Sequence, residues 1–386
     1  MNILLNRALL TTTLLTTALL LTAPPALARG GKRGAATRDQ TNTKDQTEKK
    51  EETKSEKKKG AEVTMGGVVF AHYGVELTDI DTDGDGNTDH FNAFDLDRAY
   101  VFAKADINDD FAARITLDAD RQKASTIGIG TDPNGNPITT TVAADPKTRV
   151  FVKHAYLEWK THAQGVKVRF GMSDNAWAPY YDGFMGLRYI GKSPADAAKF
   201  VSTADIGVQA LGEHAKGLVS WQAGVINGEG FSSPEIDASK TFQGRVSIDP
   251  LAQGGEMNLP ISGFFSQSVG DSGDSTTLYG GALGFKMPYL AAYAQYDGRM
   301  IGELSSSLIS VMAVPKIPKT VYGIFRLDRL DPVADVEKDE VTTIIGGLGH
   351  DFYEKISLAA TYERSTSAAA PDLPIHGVFL RGQAGF

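Results

Sequence analysis

Apolar and polar residues alternate with a period of two through most of the chain after residue 62. Between residues 111 and 120, Phe111, Ile115 and Leu117 occupy odd positions, whereas Arg114 and Asp118 lie at even positions. Successive side chains of a β-strand point to opposite faces, so the pattern predicts strands with one apolar and one polar face. The alternation recurs at 166–170, 219–225, 290–297, 321–328 and 356–363. A soluble β-sandwich would alternate in the same way.

The lengths of the connections favour a barrel over a sandwich. Connections after even-numbered strands are short, whereas several after odd-numbered strands, such as 78–90, 122–148 and 173–202, are long. This arrangement is typical of outer-membrane barrels. We therefore predict an all-β fold: a transmembrane antiparallel β-barrel of about 16 strands with short periplasmic turns and long external loops. The predicted strands are 63–77, 91–107, 110–121, 149–160, 164–172, 203–212, 216–227, 240–249, 257–267, 275–286, 289–297, 304–313, 319–329, 340–350, 355–364 and 375–386.

The amino-terminal part divides into two segments. Arg7, an apolar and threonine-rich stretch, and the small residues Ala26 and Ala28 are typical of a secretory signal peptide, which we place at 1–28. Residues 29–62 lack aromatic residues and have few large aliphatic ones, so they cannot bury enough apolar surface to fold. We predict a charged, disordered periplasmic tether there and a barrel domain at 63–386.

Composition narrows the range of functions. The chain has no cysteine, which excludes disulfide scaffolds, thiolate nucleophiles and Cys-based zinc sites. The signal and tether hold 12 of the 39 Lys and Arg but 7 of the 47 Asp and Glu, so residues 63–386 carry a net charge of −13. Such an acidic domain argues against a nucleic-acid partner and indicates a mild preference for cations, which loop charges could outweigh.

The chain ends on an aromatic residue. Val378, Leu380 and Phe386 share one face of the last predicted strand, as in the carboxy-terminal signal that outer-membrane proteins present to the barrel-assembly machinery. The alternative is an aromatic residue that ends an edge strand by chance. After a signal peptide and sixteen alternating segments, we favour the assembly signal and an outer-membrane lipid environment.

From about residue 91 to the end, the chain resembles the phosphate-selective porin O and P family of Gram-negative outer membranes. The resemblance lies in short segments in the family's order: Leu96-Asp-Arg-Ala-Tyr-Val-Phe102, Ala155-Tyr-Leu-Glu158, Val166-Lys-Val-Arg-Phe-Gly171, Asp205-Ile-Gly-Val208, Gly224-Val-Ile-Asn-Gly228 and Arg326-Leu-Asp-Arg-Leu-Asp-Pro332. It implies a sixteen-stranded, usually trimeric, water-filled channel. Members that select phosphate use a ladder of basic residues, but this barrel is acidic and has no obvious basic cluster beyond its third external loop.

Candidate pore residues lie on that loop and on the polar faces of the strands. Segment 173–202 follows the fifth predicted strand, where many porins fold a loop into the lumen, and charges there or on the facing wall set ion preference. The alternative is that these positions are solvated and without special weight. The loop candidates are Arg188, Lys192 and Lys199; the wall candidates are Arg114, Asp118, Asp120, Glu158, Lys167, Arg169, Arg326 and Asp328.

One motif could hold a metal. Asp81, Asp83, Asp85 and Asp89 have the spacing of carboxylates around one Ca²⁺, with Gly86 at the sharp turn. A solvated Gly- and Asp-rich turn explains the same residues, and any calcium in this first external loop would be structural. We expect no other cofactor, and no set of catalytic residues emerges.

The sequence therefore predicts a porin, which is not an enzyme, through which small hydrophilic solutes or ions diffuse passively. The family resemblance adds anions such as phosphate and a homotrimer as expectations. Two alternatives stay open: a lipase-like barrel enzyme, which needs a Ser/His pair on adjacent strands, and a structural or adhesin barrel with a plugged lumen.

Overall fold

Sixteen antiparallel strands form one closed barrel in the computed structural model, which confirms the predicted fold class. The structure describes residues 61–78, 91–122, 125–131, 137–142, 145–235, 238–269, 275–317 and 320–386. The predicted signal peptide, nearly all of the predicted tether and the Asp81–Asp89 motif lie outside these ranges. Residues 61–386 form one unit by their contacts.

The strands follow the predicted order, with one addition. A short hairpin, β4 and β5, lies in the connection between β3 and β6, where the sequence predicts no strand. The strands are β1 Glu62–Glu76, β2 Asn92–Asp106, β3 Phe111–Gln122, β4 Ser125–Thr131, β5 Pro137–Val142, β6 Asp145–Lys160, β7 Val166–Asp174, β8 Ala204–His214, β9 Val219–Ile226, β10 Lys240–Ile248, β11 Ile261–Val269, β12 Thr276–Met287, β13 Leu290–Ile301, β14 Leu304–Ile317, β15 Val321–Asp331, β16 Val341–Tyr353, β17 Ile356–Ser367 and β18 Ala370–Gly385.

The barrel closes where the first strand meets the last. β1 pairs with β18 from Val68↔Gly385 to Glu76↔Gly377, and Phe386 and Gly67 exchange backbone hydrogen bonds of 3.0 and 3.2 Å. Closure gives the backbone N–H and C=O groups of both edge strands hydrogen-bond partners, which lipid cannot supply. A Cβ atom at Gly67 would collide with the Phe386 ring and with the Tyr100 carbonyl, so only glycine fits this part of the seam.

The outer surface of the barrel is apolar. Phe170 is 67% exposed, and Leu117, Val208, Phe325 and Leu358 are also exposed, although all belong to strands. On a soluble protein this much exposed apolar surface would be an aggregation hazard, whereas lipid covers it without cost. The apolar positions of the alternating segments therefore face outward, as the sequence predicts.

The carboxy-terminal strand presents its apolar residues to the same surface. Val378, Leu380 and Phe386 are all exposed, with Phe386 at 68%. Their neighbour Arg381 is buried on the opposite face, toward the lumen. Recognition of this face by the barrel-assembly machinery stays a prediction.

The connections at the two ends of the barrel differ less in length than predicted. At the end expected to be periplasmic, most connections are short, but residues 249–260 form a longer one in which the Asp249 carboxylate accepts hydrogen bonds from Leu251, Asn258 and Leu259. At the other end, two connections are two-residue turns, at 302–303 and 368–369. The long loops are therefore concentrated in the first half of the barrel.

The loop between β7 and β8, residues 175–203, contains the helices α1 Ala178–Met185 and α2 Pro194–Ala197. We call it the lumen loop. Helix α1 ends at Gly186, whose φ of 71° is a left-handed conformation that glycine adopts without strain. The main buried cluster joins this loop to the wall, so the loop fills part of the barrel. Among the described residues, no helix is long and apolar enough to cross a membrane.

Candidate functional site

The first half of the lumen loop is fixed to the barrel wall by aromatic residues. The Trp177 indole Nε1 donates a 2.7 Å hydrogen bond to Asp297 Oδ1 on β13, and its ring stacks on Phe264 of β11 with centroids 5.3 Å apart. The Tyr181 hydroxyl donates to Met312 Sδ on β14 at 3.0 Å. Trp177 and Tyr181 are both buried. The loop therefore lies against the β11–β14 side of the lumen.

The second half of the loop is held by β15. Arg326 Nη1 donates a 2.6 Å hydrogen bond to the backbone oxygen of Lys192, and its Nη2 forms a 2.6 Å ion pair with Asp328. The hydroxyls of Tyr189 and Tyr322 are hydrogen-bonded to each other. Arg326 and Asp328 therefore lie behind the loop, where they position it rather than line open space.

Glutamine side chains fix the start of the loop. Gln209 Nε2 donates to Ser173 Oγ and to the Asp174 carbonyl at 2.9 and 3.0 Å. Gln222 and Gln243 in turn donate to Gln209 Oε1 at 2.8 and 2.9 Å. These amides on β8, β9 and β10 are buried, and they set the direction in which the chain leaves β7.

A cavity of about 390 Å³ separates the lumen loop from the opposite wall. We call it the passage. Its wall side is formed by β1, β2, β3 and β18, and its loop side by residues 188–192. Seven charged side chains line it: Asp95, Asp97, Arg98, Asp120, Arg188, Lys192 and Arg381. The passage is therefore a polar gap bordered by both signs of charge.

Ion pairs hold the arginines of the passage in place. Arg98 contacts Asp118 at 2.7 Å and Asp120 at 3.1 Å, both on β3. Arg381 contacts Glu363 at 2.9 Å on the neighbouring strand β17. Because a carboxylate holds each of these guanidinium groups at the wall, both can face the passage without extending across it.

The loop side has its own charge cluster. Arg188 lies 3.3 Å from both Asp182 and Asp196, and Lys192 lies 3.6 Å from Asp196. Burial and, to a smaller extent, the nearby Asp196 carboxylate raise the pKa of Asp182 to about 6, against the opposing effect of Arg188, Lys153 and Arg326. The loop side therefore changes charge near pH 6.

A second cavity, of about 600 Å³, adjoins the passage at Tyr189. Phe352, Tyr353 and Glu354, at the turn between β16 and β17, line it at the end expected to be periplasmic. Lys286 and Lys316 lie on its wall. Both cavities therefore lie along the lumen loop, with Tyr189 at the border of each.

The predicted site residues fall into three groups. Asp120, Arg188 and Lys192 line the passage, and Asp118 lies directly behind it as a partner of Arg98. Glu158 pairs with Lys167 at 3.2 Å and Arg169 at 2.9 Å, away from the cavities described here. Arg326 and Asp328 lie behind the loop, as described above. Arg114 and Lys199 do not line the passage either. Arg114 Nε donates a hydrogen bond to Thr116 Oγ1, and the Lys199 carbonyl accepts one from Arg299 Nη1.

Sequence analysis missed four of the seven charged passage residues. Arg98 and Arg381 lie on the polar faces of their strands, so alternation could have found them. Asp97 is the extra residue of a β-bulge, where β1–β2 pairing shifts from Phe70↔Arg98 to Ala71↔Leu96, and Asp95 lies just beyond it. The bulge reverses which positions face the lumen, and simple alternation therefore fails there.

The predicted calcium motif, Asp81–Asp89, cannot be placed because it lies outside the described residues. Within the described parts of the chain, no group of three or more His, Asp or Glu side chains is arranged to hold a metal ion. The calcium expectation stays a prediction.

No family model matches the chain, and no curated protein matches its sequence. Solved structures do match across the barrel. The anion-selective porin from Comamonas acidovorans has 13% identity and a TM-score of 0.55, with 84% of this chain and 100% of that one covered. The high-pH structure of Pseudomonas putida OprB has 9% identity and a TM-score of 0.59, covering 85% and 94%. Salmonella typhi OmpF in complex with daunomycin has 9% identity and a TM-score of 0.58, covering 85% and 98%.

These similarities show the fold. The chain has the sixteen-stranded barrel of outer-membrane porins and channels, and its apolar outer surface places it in the outer membrane. The finer resemblance to the phosphate-selective O and P family stays a prediction, since no family model matches.

Proposed function

We propose that the protein is a passive channel for small hydrophilic solutes and ions. One observation carries the proposal: the lumen loop narrows the barrel but leaves a charged passage of about 390 Å³ that adjoins a larger cavity toward the opposite end. A barrel with a purely structural role has no need of arginines held open by ion pairs along such a route. Selectivity then comes from pore width and wall charge.

The charges of the passage support weak ion selectivity. Four basic and three acidic side chains line it, so the local balance differs from the net charge of −13 of the whole barrel domain. Anions such as phosphate, expected from the family resemblance, fit Arg98, Arg188 and Arg381 as partners. A homotrimer and delivery by the barrel-assembly machinery are parts of the same proposal.

Reconstitution into planar bilayers tests the channel. The folded mature chain is expected to give stepwise increases in current that grow with KCl concentration. Heat-modifiable mobility on a gel verifies that the inserted protein is a folded barrel. Folded protein that inserts but produces no steps would instead support a plugged barrel and would contradict the proposal.

The pKa of Asp182 predicts a pH-dependent change in selectivity. Its folded value of about 6 lies above the ordinary carboxyl value, so the group is ionised at pH 7 and takes up a proton as pH falls through about 6. Protonation leaves Arg188 with one fewer anionic partner and makes the passage more positive. The reversal potential is expected to shift toward anions between about pH 7 and about pH 5.

The matched variants for this prediction are Asp182→Asn and Asp109→Asn. Asp182→Asn removes the titrating group, so it is expected to show at both pH values the ion selectivity that the wild type has at low pH. The second alters an exposed aspartate in the turn between β2 and β3, and it should retain the shift. A shift of equal size in Asp182→Asn would assign it to another group.

A further inference from the structure

A third cavity, of about 300 Å³, lies apart from the passage and shares no lining residue with it. We call it the outer cavity. It is bounded by residues 200–202 of the lumen loop, by residues 226–229 at the end of β9 and just after it, and by the lumen faces of β10, β11 and β12. Its volume is at the lower end of the range of about 300–1,000 Å³ found for small-molecule sites.

The lining of the outer cavity is almost uncharged. Among the described residues, Glu229 is the only charged one that lines it and no lysine or arginine does, whereas seven charged residues line the passage. Burying an anion costs free energy unless a cation or several donors compensate for it. The outer cavity therefore suits a neutral polar solute better than an anion.

Hydroxyl groups from adjacent strands line one side of this cavity. The register pairs Thr241 with Ser268 across β10 and β11, and Ser266 lies two residues before Ser268 on the same face. Thr276 begins the next strand, β12. Within the described residues, these four side chains have no hydrogen-bond partner in the protein, although Ser266 is only 5% exposed. Thr241, Ser268 and Thr276 are half-buried, so their hydroxyls are open to hydrogen bonds from water or a bound solute.

Two phenyl rings form apolar parts of the lining. Phe264 is held by its stacking on Trp177, and Phe200 is held beneath the Arg299 guanidinium, 4.6 Å from the ring centroid. Both rings are buried and border the cavity. Fixed aromatic rings beside a row of hydroxyls match the two surfaces of a sugar, whose C–H groups pack on rings while its hydroxyls form hydrogen bonds.

We propose that the outer cavity binds a neutral polyhydroxylated solute of monosaccharide size. Thr241, Ser266, Ser268 and Thr276 bind its hydroxyls, and Phe200 and Phe264 pack against its C–H face. The site shares no lining residue with the charged passage, so its binding of neutral solutes does not depend on ion conduction.

Equilibrium dialysis of the folded full-length protein in detergent, with radiolabelled D-glucose as the probe, tests this site. Saturable binding is expected, with a half-saturation concentration on the order of millimolar. The carboxylate analogue D-glucuronate, which keeps the pyranose ring, should bind at least about tenfold more weakly, because no basic residue among the described ones lines the cavity. Equal binding of glucuronate, or no saturable glucose binding, would overturn the proposal. The measurement needs no open pore, so it fails or succeeds independently of the channel proposal.

Isosteric variants locate the binding. Thr241→Val combined with Thr276→Val removes two hydroxyls at nearly constant volume, and it is expected to weaken glucose binding about tenfold or more. Thr277→Val is the matched control, since Thr277 is the next residue on β12 and its side chain points to the opposite face. Unchanged binding in the double variant, or an equal loss in the control, would show that glucose binds elsewhere.

Discussion

Replacing Trp177 with alanine is expected to raise the single-channel conductance and its fluctuation while the barrel stays folded. Trp177 is 2% exposed, stacks on Phe264 and donates to Asp297, so it is a central anchor of the lumen loop. Truncating a buried tryptophan typically costs about 3–5 kcal/mol. If that cost falls on loop docking, it lowers the docked-to-undocked ratio by roughly a hundredfold or more.

The barrel should survive because its strands are paired independently of the loop. All sixteen barrel strands are hydrogen-bonded to two neighbours, and the seam between β1 and β18 does not involve the lumen loop. A loop that leaves the β11–β15 wall no longer fixes the width of the passage. Conductance measured in planar bilayers should then vary between events and exceed the wild-type value on average.

Trp159→Ala is the control for this variant. Trp159 lies on β6 and is 42% exposed, so its removal changes a tryptophan without touching the loop. Wild-type conductance in Trp159→Ala and higher conductance in Trp177→Ala would assign the constriction to the loop. Wild-type conductance in folded Trp177→Ala would show that the loop is held by its other contacts or does not limit the current.

The fold could be predicted from sequence because lipid imposes a simple rule on every strand. Thr116 and Asp118 are buried in the lumen while Ile115 and Leu117 face outward, as alternation requires. The β4–β5 hairpin was missed because it pairs only with itself and therefore has no membrane-facing side to impose that pattern. Alternation also does not predict the short external turns, because the bilayer does not set the lengths of the loops.

The site was less predictable because it depends on where the lumen loop rests. Alternation identifies Asp120 and Arg326 equally as lumen residues, yet the loop covers Arg326 and leaves Asp120 beside the passage. That difference arises from contacts such as Trp177 with Asp297, which join residues 120 positions apart. Nothing in the local sequence of either strand encodes this pairing.

The charges on the two sides of the passage predict opposite shifts in ion selectivity. Arg188→Gln with Lys192→Gln removes both loop-side cations and leaves Asp182 and Asp196 without these ion-pair partners. The acidic wall residues Asp95 and Asp97 remain, so the variant is expected to prefer cations more than wild type. In a tenfold KCl gradient, for which perfect selectivity gives about 59 mV, the reversal potential should move toward the cation limit.

The reciprocal variant tests whether position, rather than total charge, sets this preference. Asp95→Asn with Asp97→Asn removes two wall carboxylates and should move the reversal potential toward anions. Lys216→Gln with Lys338→Gln removes two cations that lie outside the passage, so it changes net charge as much as the loop variant but should leave selectivity unchanged. If the reversal potential of the control moves as far as that of the loop variant, charge outside the passage governs ion selectivity. If the reversal potentials of the two passage variants move in the same direction, the ions do not cross through the passage.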